Sequence, residues 1–223
     1  MGKLFDLDNP FFRFMEHVAD FFILNVLTIL CSIPLITVGA ALTAHHKVMQ
    51  NLVLDYEQPI FKSYFRAFAG NFKQATVLWL ITAAFLAMMV ADVLLVYFYL
   101  DGLSIILYTL LGVISVVALG TACYTFALIA RYNNTLKEHL RNGFVLAIGN
   151  LPKTVLMLLV CAAAVVLVLL ALDLSFNILF ILATFGISLI VFVHTLLLKP
   201  VFLQLEQNSE EEEAEPEEEE QPL

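Results

Sequence analysis

The sequence predicts an all-α fold: a polytopic membrane helix bundle of about six transmembrane helices in three hairpins, joined by amphipathic cytoplasmic helices. Three observations predict it. Of the 223 residues, 61% are hydrophobic and 14% are charged, and mean hydropathy is +0.90. Soluble domains carry about 25% charged residues, so a soluble globular enzyme is excluded. Long apolar runs recur, and about 20 helical residues cross the roughly 30 Å of bilayer hydrocarbon. All eleven lysines and arginines are placed so that every one can sit on the same side of the membrane.

The first apolar stretch runs over about 11–33. Asp8, Asn9 and Pro10 precede it as a capping residue and a first-turn proline. It is predicted to stay as a membrane helix, because no small-residue cleavage site follows it. Pro34 ends it. A second helix is expected over 36–54, rich in small residues (Gly39, Ala40, Ala41, Ala44) and carrying His45, His46 and Lys47. These two helices make either a full hairpin or a re-entrant one. Four plain spans follow at about 75–100, 103–130, 153–172 and 176–199.

Charge sets the sidedness. Lys47, Lys62, Arg66 and Lys73 lie before the third span, and Arg131, Lys137, Arg141 and Lys153 before the fifth. The turns at 101–102 and 173–175 carry Asp101 and Asp173 and no cation. Both termini are therefore expected in the cytoplasm.

Two cytoplasmic elbows join the hairpins. Over about 60–72, Phe61, Phe65, Phe68 and Phe72 recur at helical spacing with Tyr64, while Lys62, Ser63 and Arg66 take the other positions. That pattern predicts a helix lying in the membrane interface, anchored by the phenylalanines. Over about 135–151, Thr135 and Glu138 predict a capping box. Phe65 to Asn71 aligns with Phe144 to Asn150 without a gap, and Gly39 pairs with Gly120 if a two-residue gap is allowed, which suggests a weak internal repeat. Either elbow can dock a partner or simply brace the bundle.

Residues 206–223 form an acidic tail. Nine of the eleven residues from Glu210 to Glu220 are glutamate, and a run so charged is expected to be disordered. It also argues against nucleic acid as a partner. The net charge of −9 belongs to this tail. Cys31, Cys123 and Cys161 are dispersed in apolar runs, with no disulfide or zinc spacing.

No phosphate loop, metalloprotease or nucleophile-elbow motif occurs, and no catalytic, cofactor or metal set is expected. Ionisable residues inside spans are the remaining lead, because they are costly there. Asp92 falls toward the outer rim of the third span. Asp20, His45, His46 and His194 fall toward the cytoplasmic third, with Asn25 deeper. These residues line a polar vestibule or serve as hydrogen-bond glue between helices. His45 and His46, being adjacent, point about 100° apart on a helix and do not grip one metal ion.

The runs Leu24-Asn25-Val-Leu, Ser32-Ile-Pro34-Leu-Ile-Thr37-Val-Gly39-Ala-Ala, Phe65-Arg-Ala-Phe68…Asn71-Phe72-Lys-Gln-Ala-Thr76 and Ala130-Arg131-Tyr-Asn-Asn-Thr-Leu136 resemble the YesL-like family of bacterial integral membrane proteins, over about residues 1–205. The resemblance implies a multi-pass protein of the bacterial cell membrane with no assigned activity and no established catalytic residues. It also implies an accessory role beside carbohydrate uptake, with sugar ABC transporter subunits or a membrane sensor as partners. The alternative is a small-solute transporter or channel in its own right.

Overall fold

The computed structural model describes residues 10–54, 56, 58–99, 104–174 and 176–214. The expectations for Lys3, for the turn at Asp101 and for the distal acidic run from 215 onward lie outside the described residues, as do those for the side chains of Arg13 and Asp173.

Among the described residues the chain is helical, with seven α-helices: α1 (Pro10–Cys31), α2 (Val38–Val53), α3 (Ile60–Tyr99), α4 (Ser104–Arg131), α5 (Leu136–Gly149), α6 (Leu151–Leu174) and α7 (Phe176–Ala214). Five contain stretches long and apolar enough to cross a membrane: Phe14–Cys31, Ile60–Tyr99, Ile105–Arg131, Leu151–Leu172 and Asn177–Gln207. The membrane character expected from composition is thus carried by the helices themselves.

Proline and hydroxyl chemistry set the breaks. After α1, Pro34 opens a 3-10 turn, Leu35–Thr37. The Thr37 hydroxyl closes that turn, shared between the carbonyls of Cys31 (2.5 Å) and Pro34 (2.7 Å). The expected capping box starts α5: Thr135 Oγ1 accepts from the Glu138 amide, and Glu138 Oε2 accepts from the Thr135 amide at 2.8 Å. Asn150 ends α5, its amide donating to the Leu146 carbonyl at 2.9 Å. Pro152, in the first turn of α6, needs no amide partner there.

Three expectations need revision. The second helix of the first hairpin, expected over 36–54 as a full or re-entrant member, is α2, whose 16 residues reach only about 24 Å. Eleven of them are buried, because α2 packs on α1, α3, α4 and α7 at once. Its small residues serve close helix packing, and α2 is not among the five long apolar helices. The interfacial helix over 60–72 and the span over 75–100 are one 40-residue helix, α3, about 60 Å long. No proline or glycine pair interrupts it between Phe72 and Ala75, and its first half is braced along α2. Helix α7 runs past 199 to Ala214, so the start of the acidic segment is helical.

Three clusters make the core, one of which, Leu78, Ala122, Phe126 and Ile129, joins α3 to α4. Leu24, Leu27, Val48, Met49, Tyr64 and Val191 join α1, α2, α3 and α7. Tyr124, Met157, Leu198 and Phe202 join α4, α6 and α7. Outside these clusters, α3, α4 and α6 present side chains such as Val90, Val113 and Leu169 outward, each about 60% exposed. An apolar exterior of this extent suits lipid and not water.

Candidate functional site

Helix α2 carries a row of buried polar side chains into the bundle: Thr43, His45, His46, Gln50 and Asn51. The alternation expected for His45 and His46 is realised. His45 turns toward α1 and α3, and His46 turns toward α7.

On the α1 side, Thr28 Oγ1 donates to the Leu24 carbonyl one turn back, at 2.8 Å. A hydroxyl has one hydrogen and two lone pairs. Thr28 therefore accepts from His45 Nδ1, 2.8 Å away, which assigns the proton of a neutral His45 to Nδ1. The Tyr64 hydroxyl completes the group, 3.4 Å from Thr28 Oγ1 and 3.3 Å from the Ala41 carbonyl. This leaves His45 Nε2 buried and without a hydrogen-bond partner.

On the α7 side, the rings of His46 and His194 stack with centroids 6.4 Å apart and planes 21° from parallel. His194 Nε2 lies 3.1 Å from the Met157 carbonyl of α6 and 3.7 Å from Cys161 Sγ. The carbonyl accepts only, so the His194 proton sits on Nε2. A turn further along α2, Gln50 Nε2 donates to the Ala127 carbonyl of α4 at 3.1 Å. His46 Nδ1, Gln50 Oε1 and Thr43 Oγ1 are buried without partners. Each orphaned atom costs about 1–3 kcal/mol, so α2 carries a destabilising polar row that packing alone does not require.

Asn25 lies about one turn before Thr28 on α1 and ties that helix to α7. Its Nδ2 donates to the Ala183 carbonyl at 2.6 Å, and its Oδ1 accepts from the Ile187 and Ser188 amides at 3.0 and 3.2 Å. Ser188 Oγ returns a bond to the Phe21 carbonyl at 2.7 Å.

At the end of the bundle where α4 and α2 finish, Arg131 grips Glu206 through two hydrogen bonds of 2.9 and 3.0 Å. Tyr132 donates to the same carboxylate at 3.2 Å, and the guanidinium lies 5.3 Å from the Phe202 ring centre. Lys199 Nζ donates to the Val53 carbonyl at 3.2 Å, a cation placed on the negative end of α2. A small cleft lies between these groups, bordered by Gln50, Arg131, Thr195 and Lys199.

The structure therefore brings His46 and His194 together, sets His45 on the other side of α2 against Thr28, holds Asn25 against α7, and keeps Asp20, Asp92 and Arg131 apart from these groups. Asp20 and Asp92 are half-buried on α1 and α3. Of the expected anchors, Phe61 and Phe65 are about half exposed. Phe68 is half-buried and stacks on Tyr64, with Phe72 edge-on to it. Four members of the polar assembly escaped the sequence reading. Tyr64 belongs to the aromatic stripe yet is fully buried. Thr28 and Gln50 carry no distinguishing pattern. Cys161 has the composition of a filler residue and gains a histidine neighbour only through folding. Among the described residues no group of three or more histidine, cysteine or acidic side chains is arranged to hold a metal ion.

Residues 21–93 match a family model described as a protein of unknown function, DUF624. The matched third of the chain spans the second half of α1, all of α2 and most of α3, and so contains Asn25, His45, His46 and Tyr64 but not His194. No match is found among curated proteins or among solved structures.

Proposed function

We propose that this chain is a non-enzymatic, multi-pass protein of the bacterial cell membrane, with cytoplasmic termini, α1 and α2 entering and leaving the membrane on one side as a full or re-entrant hairpin beside the four other spans. In this reading it is an accessory or regulatory component of a carbohydrate-uptake system. One observation carries the accessory role: most of the buried polar bonds tie helices to one another. Asn25 joins α1 to three positions on α7, Thr28 and Tyr64 tie α1, α2 and α3, and His194 ties α7 to α6. Bonds used in this way make a rigid scaffold. The partner surface is the start of α3, where Phe61 and Phe65 stand exposed beside Lys62 and Arg66. The carbohydrate link rests on the resemblance to YesL-like proteins. Crosslinking in native membranes followed by purification should recover a sugar permease subunit or a membrane sensor, and Phe61→Ser with Phe65→Ser should abolish the recovery. Recovery of no such subunit overturns the proposal.

A second reading, a small-solute or proton pathway, is favoured by the orphaned atoms of Thr43, His45, His46 and Gln50 along one helix. It requires solute or proton flux in proteoliposomes that falls with His46→Ala.

A further inference from the structure

A groove of about 470 Å³ lies between α3 and α4, away from the polar row. Leu78, Ile81 and Phe85 form one wall, and Val113, Val117 and Ala118 the other. Along α4 it reaches from Ala122 to Val113, about 14 Å at 1.5 Å per residue. Leu140 and Phe144 of α5 close the end near Ala122. The groove sits directly beyond the cluster of Leu78, Ala122, Phe126 and Ile129, in which Leu140 also packs.

Its lining is dry. Only two of the side chains facing it carry polar atoms, Thr82 and Thr121, and both hydroxyls are already committed. Thr82 donates to the Leu78 carbonyl at 2.9 Å and Thr121 to the Val117 carbonyl at 2.7 Å. A water molecule needs two to four polar partners, and the walls offer no donor and only the spare lone pairs of these two hydroxyls on opposite helices. The groove opens to the outside of the bundle, where neighbouring side chains such as Val90 and Val113 are exposed to lipid. The occupant is therefore hydrocarbon.

The closed end differs in charge from the walls. Lys137 and Arg141, one turn apart on α5, flank Leu140 and are exposed. Lys73 is exposed on α3 just over a turn before Leu78. Gln74 Nε2 donates to the Asn134 carbonyl at 3.1 Å and holds the start of α5 beside α3. An apolar slot that ends in two or three cations matches a molecule with a hydrocarbon chain and an anionic head.

We propose that this groove binds one acyl chain of an anionic glycerophospholipid, whose headgroup phosphate pairs with Lys137 and Arg141. The site rests only on α3 and α4 lying in the bilayer, not on the accessory role. Loss of a permease partner would leave it untouched.

The full chain, reconstituted in vesicles of equal phosphatidylglycerol and phosphatidylcholine and released into mild detergent, is weighed by native mass spectrometry. One retained phosphatidylglycerol per chain is expected, with at least tenfold preference over phosphatidylcholine. Ala118→Trp fills the groove and should remove the lipid. Val113→Trp, at a largely exposed position, should weaken it without disturbing the core. Lys137→Gln with Arg141→Gln should retain lipid but lose the preference. No retained lipid, equal retention of both lipids, or retention unchanged by both tryptophan variants overturns the proposal. A dimer mass that Ala118→Trp abolishes also overturns it, and assigns the groove to a second copy of the chain.

Discussion

Gly39 of α2 packs directly on the backbone carbonyl of Ala75 on α3. A Cβ at Gly39 would fall on that carbonyl oxygen and within 2.6 Å of Trp79 Cβ. The alignment that pairs Phe65 with Phe144 also pairs Ala75 with Thr154. Gly120, the counterpart of Gly39, packs on the Thr154 side chain. The weak repeat in the sequence thus coincides with two glycine contacts at corresponding places. The two units differ at their elbows. α3 continues where the second unit breaks at Asn150, because Pro152 stands where the first has Lys73.

The glycine contacts predict an ordered series of stabilities. Gly39→Ala should cost about 1–3 kcal/mol as an overpacked backbone contact. Gly120→Ala should cost less, since the Thr154 side chain can turn, but that turn strains its bonds to the Ala147 and Asn150 carbonyls. Gly70→Ala should be neutral or stabilising, because a Cβ there meets nothing within 4 Å. Unfolding in mixed micelles with increasing SDS reads all three. A Gly39→Ala variant as stable as Gly70→Ala would contradict the packing.

Asn25→Ala should destabilise the α1–α7 contact by about 1–2 kcal/mol, within the range measured for interhelical bonds in membranes. Asn25→Leu, which keeps the volume, should cost a similar amount if the three bonds matter and the packing does not. Unfolding midpoints of both variants decide it.

Docking of α5 on α4 should weaken in acid. His139 is buried, with no partner for either ring nitrogen. Burial holds its imidazole below the usual value, opposed by the neighbouring Glu138. A histidine with a depressed folded-state pKa takes up its proton more readily when released. The docked state is therefore fully favoured above about pH 6.5 and loses stability as pH falls below it. Hydrogen exchange of residues 136–149 should rise between pH 7.5 and 5.5, after correction for intrinsic rates. His139→Leu should remove the pH dependence.

The pairing of Arg131 with Glu206 should hold the end of α7 to the end of α4. Glu206 is 40% exposed, so the coupling is that of a partly screened pair, about 0.5–1 kcal/mol. A double-mutant cycle of Arg131→Gln and Glu206→Gln should return that value, and either single change should speed amide exchange over residues 200–207.

Much of the architecture was legible in the residues alone. The apolar runs, Pro34 and the Thr135–Glu138 box announced where helices begin and end, because hydropathy over twenty residues and capping bonds over four are local properties. Tertiary structure decided the rest. It turned Tyr64 out of the aromatic stripe into the core, fused 60–72 with the following span, drew α2 inside and set His46 against His194. Helices such as α4 and α6 are apolar on every side, so their composition does not reveal which side meets protein and which meets lipid. That choice depends on the close fit of small residues such as Gly39 and Gly120 and on buried hydrogen bonds between segments more than a hundred residues apart.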